Sequence, residues 1–205
     1  MESPPLHLPA LHDVMVDIEA LALRPGAAII RLAAATFDPW TAAIGQEFDV
    51  RIIPAPPFIM DLETYRWNLD QGNEIDHPEA VAPAVAIHRF LLWLDLVVPD
   101  RRERVLWSWG ADYDFPLLVP YIDLRGPDVE APWRFHQQRC ARTIWKIAFR
   151  GQPSPQRPHD AIGDVRSTAV NVADAYAVFA AGLKPARADE LESTMADAGG
   201  KDLGR

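Results

Sequence analysis

Apolar and polar residues alternate along the first readable stretch of the chain. In HDVMVDIEAL, Val14, Val16 and Ile18 take every second position, with Asp13, Met15, Asp17 and Glu19 between them. Successive side chains of a strand point to opposite faces, so this spacing predicts a strand over residues 12–19. The turn LRPG, with Pro25 and Gly26, leads into AAIIRLAAATFD, a second strand of mostly small and β-branched residues. DPWTAAIG is turn chemistry, and QEFDVRII alternates again through Phe48, Val50 and Ile52. Three strands with short connections predict an antiparallel meander, ended by PAPP at Pro54 to Pro57.

The period then changes. DLETYRWNLDQG reads as a short helix stopped by Gly72. DHPEAVAPAVAIHRFLLWLDLVV reads as a longer one, with Asp76 as its cap and Pro78 in its first turn. Val81, Val85, His88, Leu91 and Leu92 fall near one face of it. RVLWSWG is a short buried strand ending at Gly110, and DFPLLVPYIDL a helix entered with Pro116 in its first turn. RTIWKIAF fits a strand or the start of a helix. Val165, Thr168, Ala169, Val172, Tyr176 and Phe179 mark a last helix ending near Gly182. The expected organisation is one domain over residues 12–183 and a polar, flexible tail over 184–205. A meander followed by alternating helices and strands predicts a mixed-sheet α/β architecture.

Composition narrows the class. The chain has 205 residues, 49% of them hydrophobic and 24% charged, which suits one globular domain with a substantial core. No apolar run approaches the ~18 residues that a membrane helix needs, so no membrane partner is expected. MESPPLHLPALHD lacks the basic start and apolar core of a signal peptide. Cys140 is the single cysteine, which excludes an internal disulfide and a four-thiolate zinc site. A reducing, cytoplasmic location is the expectation. The formal net charge of −9 argues against a long basic groove for duplex nucleic acid. It does not exclude a polyanionic substrate, because divalent cations gathered on carboxylates bring positive charge of their own.

The acidic residues supply the candidate chemistry. Asp17 and Glu19 share one face of the first strand, where like charges repel and neither residue is a good strand former. Asp112 and Asp114 follow the strand VLWSWG, where the chain turns into a helix. PHDAIGD places His159, Asp160 and Asp164 at the start of the last helix. A folded sheet can bring such strand ends and helix starts together. Asp17, Glu19, Asp114 and Asp164 would then form a ring of oxygen ligands suited to Mg²⁺ or Mn²⁺. Two ions ~3.5–4 Å apart can clamp the attacking and leaving oxygens of a phosphodiester. His159 is the candidate general base for the attacking water. On this reading, bound metal offsets the repulsion between Asp17 and Glu19.

These residues resemble the DEDDh 3′–5′ exonucleases, the DnaQ-like branch of the ribonuclease H-like fold. That family carries D-x-E on its first strand, here Asp17-Ile18-Glu19. Its second Asp opens a helix after the fourth strand, matched by Asp114 in ADYDFPLL, with Asp112 as an alternative match. Its last motif is H-x(4)-D, here His159 to Asp164. Within the family the chain is most similar to the small phage-type and actinobacterial exonucleases, through PGAAI, TYRWNLDQ (Thr64 to Gln71), APWRF with Trp133 and ARTIW with Arg142. Two positions depart from the pattern: Asp160 stands where Asn is often found, and Cys140 where an Asp often precedes R-T-I.

The resemblance covers roughly residues 12–182 and implies a mixed five-stranded sheet flanked by helices. It implies hydrolysis from the 3′ end of single-stranded RNA or DNA, or of short oligonucleotides, to nucleoside monophosphates. Asp17, Glu19, Asp114 and Asp164 would hold two Mg²⁺ or Mn²⁺ ions, and His159 would deprotonate the water. Ala20, Leu21 and Trp67 are the candidate substrate contacts, Leu21 as a wedge between bases and Trp67 as a stacking platform, with a core role open for both. Relatives of this type are often homodimers, which makes a homodimer the expectation. Structural readings stand beside these: Asp13, Asp112 and Asp160 as surface, cap or supporting residues, Trp107 and Trp109 as sheet packing, and Cys140 as a small buried hydrophobe. The rival function is a catalytically inactive ribonuclease H-like module that binds nucleic acid or a protein. A metal-dependent phosphatase or an endonuclease would be told apart by its products.

Overall fold

The computed structural model describes residues 11–126, 131–150 and 152–182. The tail expected over 184–205 lies outside them. Five strands form one sheet: β1 (Asp13–Ala20), β2 (Ile29–Phe37), β3 (Ile44–Arg51), β4 (Val105–Ser108) and β5 (Gln138–Cys140). The order is β3-β2-β1-β4-β5. The meander pairs antiparallel, while β4 and β5 add in parallel on the other side of β1. The helices are α1 (Leu62–Asp70), α2 (Pro83–Val97), α3 (Ala111–Asp123), α4 (Ala141–Ala148) and α5 (Ala161–Gly182). This is the expected mixed five-stranded α/β architecture. None of the described helices is long and apolar enough to cross a membrane.

Both faces of the sheet are covered. Val14, Val16 and Ile18 of β1 join Ile87, Phe90 and Leu94 of α2 and Leu118 of α3 in one core. Met15 joins Ala33, Ala35 and Phe37 of β2 and Val165, Ala169 and Val172 of α5 in the other. Alternation of the kind seen in β1 usually marks a strand with one wet face. Here α5 lies over the odd-numbered face, and the small side chains of β2 let it approach. Asp17 and Glu19 are therefore buried beneath a helix.

Two local expectations change and one open reading resolves. The long helix starts at Pro83 with Ala82 as its N-cap, so Asp76 is not its cap and Pro78 lies outside it. Backbone pairing is the competing force: Val81 bridges Ile52 beyond the end of β3, and the Val81 N–H donates to Arg51 O at 3.0 Å. Helix α3 begins at Ala111, earlier than expected, so Asp112 and Asp114 occupy its first turn and Pro116 its second. RTIWKIAF is helical, with the preceding Gln138–Cys140 as the strand. Helix α1 ends before Gly72 as expected and is capped by Asp61, whose Oδ1 accepts the Thr64 N–H at 2.9 Å. Fully buried Asn68 fastens α1 to the end of β1, its Nδ2 donating to Ala20 O at 3.0 Å.

Candidate functional site

The sheet and its flanking helices converge on one pocket of about 490 Å³. Asp17 and Glu19 reach it from β1, opposite Ala33 and Arg31 of β2. The β1–β2 register shifts between Glu19 and Ala20, which ends regular pairing at the pocket. Asp114 enters from the first turn of α3 and Asp164 from the first turn of α5. A helix N-terminus presents unpaired N–H groups and favours a negative side chain. Asp17, Glu19 and Asp164 each offer a carboxylate oxygen, all within 4.8 Å of one another. Of the four acids none is more than 7% exposed.

Such burial makes ionisation costly. It pushes Glu19 up to about 8, with the Asp164 charge adding and Arg157 opposing. Asp17 is raised well above the usual carboxylate range by burial, and then by Asp114, Glu19 and Asp164. Asp114 and Asp164 are raised as well, burial again the main cause and Arg157 a partial counterweight. Asp164 Oδ1 is buried without a hydrogen-bond partner. A buried acceptor without a donor is costly. A cluster of hard oxygen donors that resists ionisation, one of them orphaned, fits a divalent cation.

His159 and Trp67 line the same pocket. His159 sits at φ +56°, a left-handed conformation uncommon for a residue with a side chain, just before α5. Its ring meets the ring of Trp67 edge-on at 5.2 Å between centroids. Trp67 is 42% exposed, which removes the core reading. Ala20 lines the pocket too. Leu21 does not: its side chain is fully buried against Ala28, Ile30 and Ile75, so a base-wedging role does not fit it. The chain bends after β1, and Leu23, 74% exposed, is the leucine at the pocket. Asp112 does not line the pocket; it pairs with Arg142 at 3.2 Å.

Two arginines at the site carry no sequence signal of their own. Arg157 Nη1 lies 3.3 Å from Asp17 Oδ1 and 3.4 Å from Asp164 Oδ2, and its guanidinium stands 5.6 Å from the centre of the Trp109 ring. Trp109, expected only to pack the sheet, thus also carries a cation at the pocket. Arg31 grips Asp49 of β3 through Nε at 2.9 Å and Nη2 at 2.6 Å, and pairs with Asp160 through Nη1. Asp160 Oδ2 in turn accepts the Gly163 N–H at 3.1 Å. The meander is thereby tied to the mouth of α5.

Fold and site together define a ribonuclease H-like α/β domain with an acid cluster at its strand and helix ends. The chain belongs to the family described as the Rv2179c-like 3′–5′ exoribonuclease domain, whose model matches residues 12–179. No match was found among curated protein sequences. Among solved structures, E. coli exonuclease I in complex with a dT13 oligonucleotide is similar with a TM-score of 0.58 at 15% identity, covering 77% of this chain and 39% of that one. Exonuclease I in its apo form gives 0.60 at 15% identity, covering 78% and 41%. The zinc-bound E. coli exonuclease I complex with single-stranded DNA gives 0.56 at 13%, covering 78% and 39%. This chain spans about two-fifths of the length of these proteins.

Proposed function

We propose that the chain is a metal-dependent 3′–5′ exonuclease that removes nucleoside 5′-monophosphates from the 3′ end of single-stranded RNA or DNA. The observation that carries this is the convergence of four buried carboxylates, with the orphaned Asp164 Oδ1, beside His159 in one pocket. Family membership and the likeness to exonuclease I, solved with single-stranded oligonucleotides and with zinc, support it.

Asp17, Glu19, Asp114 and Asp164 would hold the cations, two Mg²⁺ or Mn²⁺ ions in this reading. When bound, they supply Lewis-acid stabilisation of the charge that builds on the phosphodiester. His159, held at the helix mouth by its left-handed turn, takes the proton of the attacking water on a ring nitrogen. The water oxygen bonds to phosphorus and the P–O3′ bond breaks. A nucleoside 5′-monophosphate leaves, the departing 3′-oxygen takes a proton from solvent, and the shortened strand keeps a new 3′-hydroxyl. Trp67 and Leu23 offer apolar surface to the terminal base, a stacking interaction available to every base. The pocket volume is within the range that holds one small ligand, which suits a strand end better than a duplex. The single cysteine suits a cytoplasmic setting, and a homodimer belongs to the same reading, tested by light scattering.

The decisive assay uses purified protein on end-labelled RNA and DNA oligomers. Mononucleotides should appear stepwise from the 3′ end with Mg²⁺ or Mn²⁺ and disappear with EDTA. Internal cuts, free phosphate, or binding without cleavage would overturn the proposal.

A further inference from the structure

Arg157 is the one cation within reach of both Asp17 and Asp164 among the described residues. It approaches one oxygen of each, and those two acids are also members of the carboxylate trio suited to a cation. A guanidinium and a divalent ion compete for the same negative charge. The ion wins at close range, because two charges sit on a small hard centre while guanidinium charge is spread over a plane. A displaced Arg157 has a defined place to go. Its side chain is 23% exposed, it lines the pocket, and the Trp109 ring face attracts its guanidinium whether or not the carboxylates are free. The planar fork matches a phosphate bidentately. The backbone on either side is stiff: Pro155 and Pro158 flank Arg157, and a residue before proline is restricted to extended conformations. Side-chain torsions therefore carry the movement.

We propose that Arg157 is an exchangeable partner of the acid cluster: it occupies an oxygen of Asp17 and of Asp164 in the metal-free protein and, once a divalent cation takes those carboxylates, moves to the phosphate of the terminal nucleotide. The inference rests on the exonuclease reading and adds to it a coupling between cation binding and strand binding. Before the cation arrives, Arg157 occupies the carboxylates and is withheld from phosphate. Afterwards it becomes a positioning residue for the substrate.

The test measures two affinities on the full chain, after EDTA treatment and dialysis. Mn²⁺ binding is followed by calorimetry without nucleic acid. Binding of a single strand with a cleavage-resistant phosphorothioate 3′ linkage is followed by anisotropy with Mn²⁺ present. Arg157→Ala should bind Mn²⁺ about tenfold more tightly than wild type, because the competitor is gone, and the strand about tenfold more weakly, because the phosphate partner is gone. Arg157→Lys keeps a point charge without the fork, so its Mn²⁺ affinity should stay near wild type while strand affinity falls. If Arg157→Ala does not fold, as judged by circular dichroism, the lysine variant decides, and wild-type strand affinity there overturns the proposal. A wild type that binds Mn²⁺ and cleaves, with Arg157→Ala matching it in both affinities, overturns this inference alone. A wild type that neither binds Mn²⁺ nor cleaves overturns the exonuclease reading and this inference with it.

Discussion

The edge of one ring faces the other where Trp67 of α1 meets His159 at the mouth of α5, with centroids 5.2 Å apart. The contact joins two elements that line the same pocket, and it orients an imidazole whose backbone is already held left-handed. Asparagine tolerates that backbone conformation better than most residues. His159→Asn should therefore keep the fold and lose turnover by ~10²–10⁴-fold. Trp67→Ala should weaken binding of a single-stranded 3′ end by roughly ten- to a hundredfold, the loss of one stacked base. Steady-state kinetics and a melting curve on each variant check this. Wild-type turnover in His159→Asn between pH 6 and 9 would reduce His159 to a structural residue.

The acid cluster sets the stability of the metal-free protein against pH. Glu19 has its folded value raised from 4.5 to about 8, and Asp17, Asp114 and Asp164 move the same way. The folded state then binds more protons than the unfolded chain between those values. Stability contributed by these groups is full below the unfolded values and is lost as pH rises through the folded ones. In EDTA the melting temperature should fall from pH 5 to pH 8. With saturating Mn²⁺ the fall should vanish or reverse, since the ion binds deprotonated carboxylates. A metal-free melting temperature that climbs over that window would contradict the burial argument.

Asp17→Asn separates charge from shape. It removes a buried carboxylate that Glu19, Asp114 and Asp164 all disfavour, and gives up one ion pair to Arg157. The metal-free variant should melt at or above wild type near pH 8, while Mn²⁺ stabilisation and hydrolysis disappear. A clear drop in metal-free melting temperature would show that the Arg157 pair outweighs the repulsion.

Leu21 and Leu23 should behave oppositely although two residues apart. Leu21→Ala opens a cavity in a fully buried cluster and should cost ~2–5 kcal/mol in denaturant unfolding. Leu23→Ala removes an exposed side chain, should leave unfolding within about 0.5 kcal/mol, and should weaken oligonucleotide binding. Equal effects on stability would place both in the core.

The period-two run in β1, the meander and the H-x(4)-D spacing before α5 were legible because each is a local pattern. Asp17, Glu19, Asp114, His159 and Asp164 meet in one pocket because those patterns end at one end of the sheet. What was not legible depends on partners distant in sequence. Arg31 and Arg157 look like ordinary surface arginines until Asp49, Asp160, Asp17 and Asp164 are brought to them. Asn68 looks like a polar helix residue until the Ala20 carbonyl is found above it. Leu21 was left open between wedge and core because the bend after β1, which turns it inward and Leu23 outward, carries no local signal. Asp76 lost its capping role to a tertiary contact, the Val81–Ile52 bridge, which local capping rules do not see.

The order in which the chain delivers its acids bears on how the domain is put together. Asp17 and Glu19 arrive with a meander that closes through short loops. Asp114 comes with β4 and α3, and Asp164 only with α5, whose docking on β1 joins distant parts of the chain. Short loops close at little entropic cost, and long ones later and more slowly. In a chain where α5 docks last, Asp17 and Glu19 would lie open to water and ionise freely until that step. Desolvation and mutual repulsion fall on that last step. A cation that recognises the completed set would favour that step and no earlier one, so the same ion would act as a folding ligand for the final helix.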